Sequence, residues 1–389
     1  MPIVWVLRRY TIATRAMAIN NLPTVVIAPA EHAQSNMQTV LNTMNINTRT
    51  QPLFLGESLS LQRYDQLKYP KLYELTEMME EYFWSPKEIP LMKDRNDYHE
   101  LSEAERFVFD TNLKWQTMTD SMLSRSLFKV AEHVSNPELE AAMNVWAFFE
   151  SNIHSRSYSH ILKNVYPNES VFWDSILSDQ EVVYRANEAK REYDKLFGNP
   201  ACIKTQIFDA LLATQITEGL AFYTSFVCSF FFGARGKMEG NAKIIKLIAR
   251  DENLHVAVSQ NVMHYLRDNA DEGFQDVVAA SESKVYDAYT IAVNTEKRWA
   301  DYLFSKGSLL GLNADILKGY AEWLANNRLA SLGYNKIFAT KKNPLGSWYD
   351  AFMNSDKVQV APQETNISSY KIGARDTQVD MSSFASIEL

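Results

Sequence analysis

Glu150 and His154 lie four residues apart and Glu252 and His255 three apart, in runs free of glycine and proline. At 3.6 residues per turn, positions four apart differ by about 40° around a helix and positions three apart by about 60°. Each pair therefore occupies one helical face and can chelate. Asp120 and Glu218 add two more acids inside otherwise largely apolar helical text. Four carboxylates and two imidazoles make the ligand set of a dinuclear metal site inside a helix bundle. One Glu–His pair alone reads most simply as a solvated surface pair; two pairs together with two acids in apolar text do not. Burying four carboxylates in one core is untenable without cations, and two divalent ions bring four positive charges. Oxygen-rich ligation with one imidazole per metal suits iron or manganese better than structural zinc, and points to oxygen and redox chemistry.

Long helices must carry these residues. Only 13 Gly and 12 Pro occur in 389 residues, and no run alternates strictly enough for a sheet core. The text from Tyr69 to Trp84 reads as helical and stops at Ser85-Pro86. Ser102 and Glu105 form the Ser-x-x-Glu capping box of a helix that contains Asp120, with Phe107, Leu113, Met118 and Met122 as its apolar stripe. Asn136-Pro137, an N-cap followed by proline at the first helical position, launches the helix of Glu150, His154 and Tyr158. The Gly198-Asn199-Pro200 turn and the loop from Gly233 to Gly240 bracket the Glu218 helix. The expected organisation is an N-terminal extension over 1–48, disordered or upstream of the true start, a helical domain over 49–355, and a flexible tail over 356–389.

Composition closes other routes. A formal charge of −8 leaves no electrostatic footprint for nucleic acid or an anionic membrane surface, so neither is an expected partner. The longest charge-free apolar stretch, from Gly219 to Ala234, is shorter than the roughly 20 residues of a bilayer span and reads as a helix buried on all sides. Arginines without acids in the first 30 residues allow a transit peptide, but the order of apolar and basic residues is unlike a secretory signal. Cys202 and Cys228 make neither a disulfide framework nor a zinc spacing, which fits a reducing cytoplasm.

The strings Arg63-Tyr64-Asp65, Phe83-Trp84-Ser85-Pro86, Trp146-Ala147-Phe148, Ile153 to Tyr158, Glu239 to Lys243, Ala249 to Glu252, Trp299 to Phe304 and Val358 to Glu364 together resemble the small, radical-generating subunit of class I ribonucleotide reductase. The similarity runs from about Thr50 to the C-terminus. It implies an all-α, ferritin-like helix bundle with long helices around a dimetal carboxylate site, usually a homodimer. It also implies that Asp120, Glu150 and His154 hold one metal and Glu218, Glu252 and His255 the other, with bridging carboxylates. Two irons are the expected pair, while manganese–iron or two manganese ions use the same ligands. Dioxygen would be activated there to leave a tyrosyl radical on Tyr158, in a dry pocket of Phe222, Phe226 and Ile248. Trp84, hydrogen-bonded through Asp251 towards His154, would conduct the electron at the surface. Tyr370, assisted by Glu364, would relay it to the large subunit, on which the C-terminal tail docks.

One departure bears on the site. The family spaces its first pair as Glu-x-x-His, whereas this chain has one residue more. Either Glu150 remains the ligand, with the extra residue absorbed as a π-bulge, or Ser151 occupies the ligand position and the first metal loses its bridge. Residues before about 45 match nothing in the family. The rival reading on the same ligands is a ferritin-like dimetal oxygenase acting on its own organic substrate; an iron store is disfavoured by chain length.

Overall fold

The computed structural model describes residues 39–44, 46–198 and 202–353. Most of the N-terminal extension, Asn199 and Pro200 of the turn, and the tail with Glu364 and Tyr370 lie outside the described residues. Within the expected extension, Asn42 N donates to Leu59 O at 2.8 Å and Thr48 Oγ1 to Gln66 O at 3.2 Å, so both residues contact the chain beyond residue 49.

The regular elements of the described residues are all helices, and their only β pairings are two isolated bridges, Phe54 with Val134 and Leu309 with Leu312. In chain order come α1 (Pro70–Glu81), α2 (Met92–Glu100), α3 (Glu103–Ala131), α4 (Pro137–Phe148), α5 (Ser155–Val165), α6 (Glu169–Ile176) and α7 (Gln180–Asp194). There follow α8 (Ile203–Ile216), α9 (Phe222–Ala234), α10 (Glu239–Asp268), α11 (Gln275–Ala280), α12 (Glu282–Leu303), α13 (Ala314–Ser331) and α14 (Ser347–Met353). Two of the joints are widened helical turns: Phe149–His154 carries α4 into α5, and Thr217–Ala221 carries α8 into α9.

The caps form as their residue types dictate. Ser102 Oγ accepts from Glu105 N at 3.3 Å while Glu105 Oε2 accepts from Ser102 N at 2.9 Å, which completes the capping box of α3. Asn136 Oδ1 accepts from Leu139 N at 3.0 Å ahead of Pro137. The start of α10 needs help from outside, because Met238 sits in the left-handed region with φ 50° and offers no side-chain cap. Asp94 of α2 supplies it, its two carboxylate oxygens accepting from Gly240 N at 2.9 Å and Asn241 N at 2.6 Å. A Cβ on Gly240 would fall 2.7 to 2.9 Å from Leu91, Pro90 O and Asp94, so only glycine admits this approach.

The apolar stripe expected on α3 is misplaced. Leu113 is in the core, but Phe107, Met118 and Met122 are half-buried, and the interior face instead holds Val108, Phe109, Trp115 and Leu123 with the polar Asn112, Gln116, Thr119 and Asp120. Helix α3 packs against α4, α7 and α9, so its buried arc is wide and includes the polar side that faces the acids and histidines of the next helices. A reading by hydrophobicity alone selects the margin of such an arc.

Every residue from Gly219 to Phe232 is buried. The continuous run Ile203–Ala234 is, among the described residues, long and apolar enough to cross a bilayer, but 89% of its window is buried inside the protein. It is a core helix.

Asp110 of α3 ties neighbouring elements together, accepting from the Tyr98 hydroxyl at 3.2 Å and from the Tyr166 hydroxyl. Burial raises its carboxyl to about 6, against the pull of the two phenol donors. Between about pH 4 and 6 the folded protein therefore keeps a proton that the unfolded chain has released, and this contribution to stability is lost as pH rises through that window. Asp110→Asn removes the dependence. Relative to wild type the variant is expected to gain about 1–2 kcal/mol between pH 4 and pH 7, a figure discounted for partial solvent access. Urea denaturation at the two pH values checks it, and a constant difference would contradict it.

Candidate metal centre

Three long helical runs and the middle of α3 converge on one buried cluster. Asp120 comes from α3, Glu150 and His154 from the first widened turn, Glu218 from the second, and Glu252 and His255 from α10. All six side chains are inaccessible to solvent. Their ligand atoms fall into two groups, each within 4.8 Å: Asp120, Glu150, His154 and Glu252 in one, Glu150, Glu218, Glu252 and His255 in the other. Glu150 and Glu252 belong to both, which is the placement of bridging carboxylates.

The extra residue between Glu150 and His154 is absorbed by the widened turn, where Ser155 N bonds Glu150 O five residues back. Glu150 stays inside, while Ser151 turns outward with its hydroxyl on Ala147 O at 2.7 Å. His154 Nδ1 lies 3.3 Å from Glu150 Oε2, 3.4 Å from Glu252 Oε1 and 3.8 Å from Asp120 Oδ2. His255 Nδ1 lies 3.1 Å from both Glu150 Oε1 and Glu252 Oε2 and 3.9 Å from Glu218 Oε2. Both imidazoles thus present Nδ1 to the acids.

The electrostatics match a site built for cations. Burial pushes Asp120 and Glu218 well above the usual carboxylate range, and the neighbouring acids, Glu150 first for Asp120 and Glu252 first for Glu218, push the same way. Burial and Glu150 raise Glu252 to about 7. Glu150 is the exception: burial raises it, but His154 and His255 outweigh that and hold it below the ordinary range. Burial disfavours both imidazolium ions, yet the surrounding carboxylates hold His154 well above, and His255 above, the ordinary histidine value. Both oxygens of Asp120, both of Glu218 and Glu252 Oε1 are buried without a hydrogen bond among the described residues. Buried carboxylate oxygens left bare in this way, with two imidazole nitrogens among them, are the donor set two divalent cations require.

Around the cluster, Trp146, one turn before Glu150, donates Nε1 to Glu150 Oε1 at 3.2 Å and stacks on His255 with ring centres 4.9 Å apart. Its sequence signal was that i−4 spacing. On the other side His154 Nε2 faces Asp251 Oδ2 at 3.3 Å, and the same oxygen accepts from Trp84 Nε1 at 2.7 Å. Arg250 holds the other oxygen, Asp251 Oδ1, at 3.3 Å and donates to Tyr82 O at 2.6 Å. Trp84 is not at the surface, being only 2% exposed; the segment after α1 turns its indole inward to Asp251 and leaves Phe83, 61% exposed, outside.

Tyr158 is fully buried, and its hydroxyl makes no hydrogen bond of good geometry among the described residues. Burial, then the nearby Asp120 carboxylate, raise the phenol well above its ordinary value. Phe222, Phe226 and Ile248 are all fully buried, with Phe222 and Phe226 at 5.5 Å between ring centres and Trp115 4.9 Å from Phe222.

Comparison with known proteins agrees with this geometry. The family described as "Ribonucleotide reductase, small chain" matches residues 62–344. The ribonucleoside-diphosphate reductase subunit beta of Haemophilus influenzae is 39% identical over 363 residues, covering 87% of this chain and 96% of that one. Among solved structures, the ribonucleotide reductase R2 subunit from Clostridium botulinum superposes with a TM-score of 0.74 at 26% identity, over 81% of this chain and 98% of that one. The dimanganese(II)-NrdF of Streptococcus sanguinis shares the fold at a TM-score of 0.64 and 20% identity, over 76% and 99% of the two chains. With its buried carboxylate–histidine cluster in an all-helical fold and these relatives along most of its length, the chain belongs to the ribonucleotide reductase small-chain family.

Proposed function

We propose that this radical-generating subunit of ribonucleoside-diphosphate reductase stores its oxidising equivalent on Tyr158 and releases it through Trp84. The observation that carries the reading is the unbroken line His154–Asp251–Trp84, with both contacts made through Asp251 Oδ2. Asp120, Glu150 and His154 would hold one ion and Glu218, Glu252 and His255 the other, Glu150 and Glu252 having oxygens within reach of both groups. Two irons are the proposed pair. When bound, the metals supply the oxidising power drawn from dioxygen. Tyr158 gives up one electron and its phenolic proton, and the Asp120 carboxylate beside it is the acceptor for that proton. Burial keeps water and reductants from the oxidised ring, with Phe222, Phe226 and Ile248 as the dry wall.

Asp251 keeps the Trp84 indole N–H and the far nitrogen of His154 on one oxygen, and Arg250 fixes that carboxylate by its other oxygen. Residues after Asp356 would dock the large subunit, with Tyr370 and Glu364 completing the relay. A dimetal oxygenase uses the same ligands, but the relatives are named reductase subunits and the indole line serves no substrate of its own.

Trp84→Phe is the test. The variant is expected to retain its metals and its tyrosyl EPR signal while reductase turnover with a large subunit falls to background. Turnover near wild type would remove Trp84 from the path, and loss of the metals would make it a structural prop of His154.

A further inference from the structure

The two widened turns are stitched differently. The first uses hydroxyls of its own run: Ser151 Oγ donates to Ala147 O at 2.7 Å, Ser155 Oγ to Glu150 O at 2.9 Å, and Ser157 Oγ to Ile153 O at 2.7 Å. The second, Thr217-Glu218-Gly219-Leu220-Ala221, has no serine, and Phe222 N reaches back five residues to Thr217 O. Widening steps the ladder by one residue, so carbonyls at the step depend on other donors.

Here the donors are guanidinium groups from distant helices, joined on Ala221 O by the Thr224 hydroxyl at 2.9 Å, whereas Gly219 O has a guanidinium alone as its side-chain donor among the described residues. Arg328 of α13 donates Nε to Gly219 O at 2.9 Å, and Arg185 of α7 donates Nη2 to Ala221 O at 2.7 Å. Both arginines are buried. Arg185 is neutralised by Glu296 at 2.6 Å, but Arg328 has no carboxylate within 4 Å among the described residues. A buried cation without a counter-ion is costly, so its hydrogen bond to the turn is not an incidental contact. The turn is shaped to receive it: a Cβ on Gly219 would fall 3.1 Å from Arg328 Nε and 3.4 Å from its Cδ.

We infer that Arg328, seconded by Arg185, is a positioning residue for Glu218, holding open the widened turn that aims this carboxylate at the metal centre. The inference rests on the reading of Glu218 as a metal ligand. Relaxation of the turn by one residue would rotate Glu218 by about 100° relative to α9 and carry it off the cluster.

The test compares wild type, Arg328→Met, Arg328→Lys and Glu218→Ala. Arg328→Met strands no buried anion, so it should fold. In the metal-free protein, hydrogen exchange of the amides at 218–223 should speed up by about tenfold or more in Arg328→Met, while those at 150–155 stay as in wild type. In a Mn(II) titration followed by EPR, wild type should bind two ions. Arg328→Met should keep the first and hold the second about 10–100-fold more weakly, with partial recovery in Arg328→Lys. Unchanged exchange and an unchanged second Mn(II) affinity, with only a lower melting temperature, would overturn the inference and leave Arg328 a packing element. Should Arg328→Met not fold, the same two readings on Arg328→Lys decide. If wild type takes up one ion, or Glu218→Ala still binds two, it is the ligand assignment that fails, and the inference goes with it.

Discussion

Glu252→Ala is expected to remove both metal ions from the protein, whereas Asp120→Ala should remove one. Glu252 belongs to both ligand groups, with Oε1 towards His154 and Oε2 towards His255, while Asp120 belongs to one. Metal content after loading and desalting separates the cases directly. Stability reports the same event: ligand that binds only the folded state adds about 4 kcal/mol at a thousandfold excess over Kd. Wild type should therefore melt well above its metal-free form, and the gap should close in Glu252→Ala. Retention of one ion by that variant would show that the centre does not depend on a shared carboxylate.

Tyr158→Phe has the second large effect, and it falls on chemistry alone. The phenol oxygen makes no hydrogen bond of good geometry, so its removal should change stability by less than about 1 kcal/mol and leave two metals bound. Loaded with ferrous iron without air and then exposed to oxygen, wild type should give a tyrosyl doublet by EPR. The variant should give none, and its turnover with a large subunit should fall to background. A doublet that survives the substitution would place the radical on another tyrosine.

Ligand types and helical spacing were readable because they are local properties. Glu150/His154 and Glu252/His255 announce themselves at one turn, and the caps at Ser102 and Asn136 form from residues three apart. The expectation that an extra residue could be absorbed as a bulge rests on the same local geometry, and in the structure the widened turn keeps Glu150 in the buried cluster and Ser151 outside it. The stripe on α3 was misread because hydrophobicity marks one buried face, whereas a helix covered by several neighbours around polar ligands hides Asn112, Gln116 and Asp120 as well. The Asp251 partner of Trp84 was expected, but the indole was placed too far out, because burial at position 84 is set by segments distant in sequence and not by its neighbours along the chain.

By itself, then, the sequence determined an all-helical chain that carries two Glu–His pairs at chelating intervals and two further acids in apolar helical text, because helix periodicity and capping depend on neighbours within one turn. Tertiary structure alone decided which carboxylates fall in both groups of ligand-type atoms, that Trp84 is buried and not at the surface, and that the Glu218 turn is widened. Nothing within Thr217–Ala221 signals that widening; it rests on Arg185 and Arg328, 36 and 109 positions from the carbonyls they meet. Such partners come together only when the bundle closes, because the desolvated carbonyls that need them do not exist before it does.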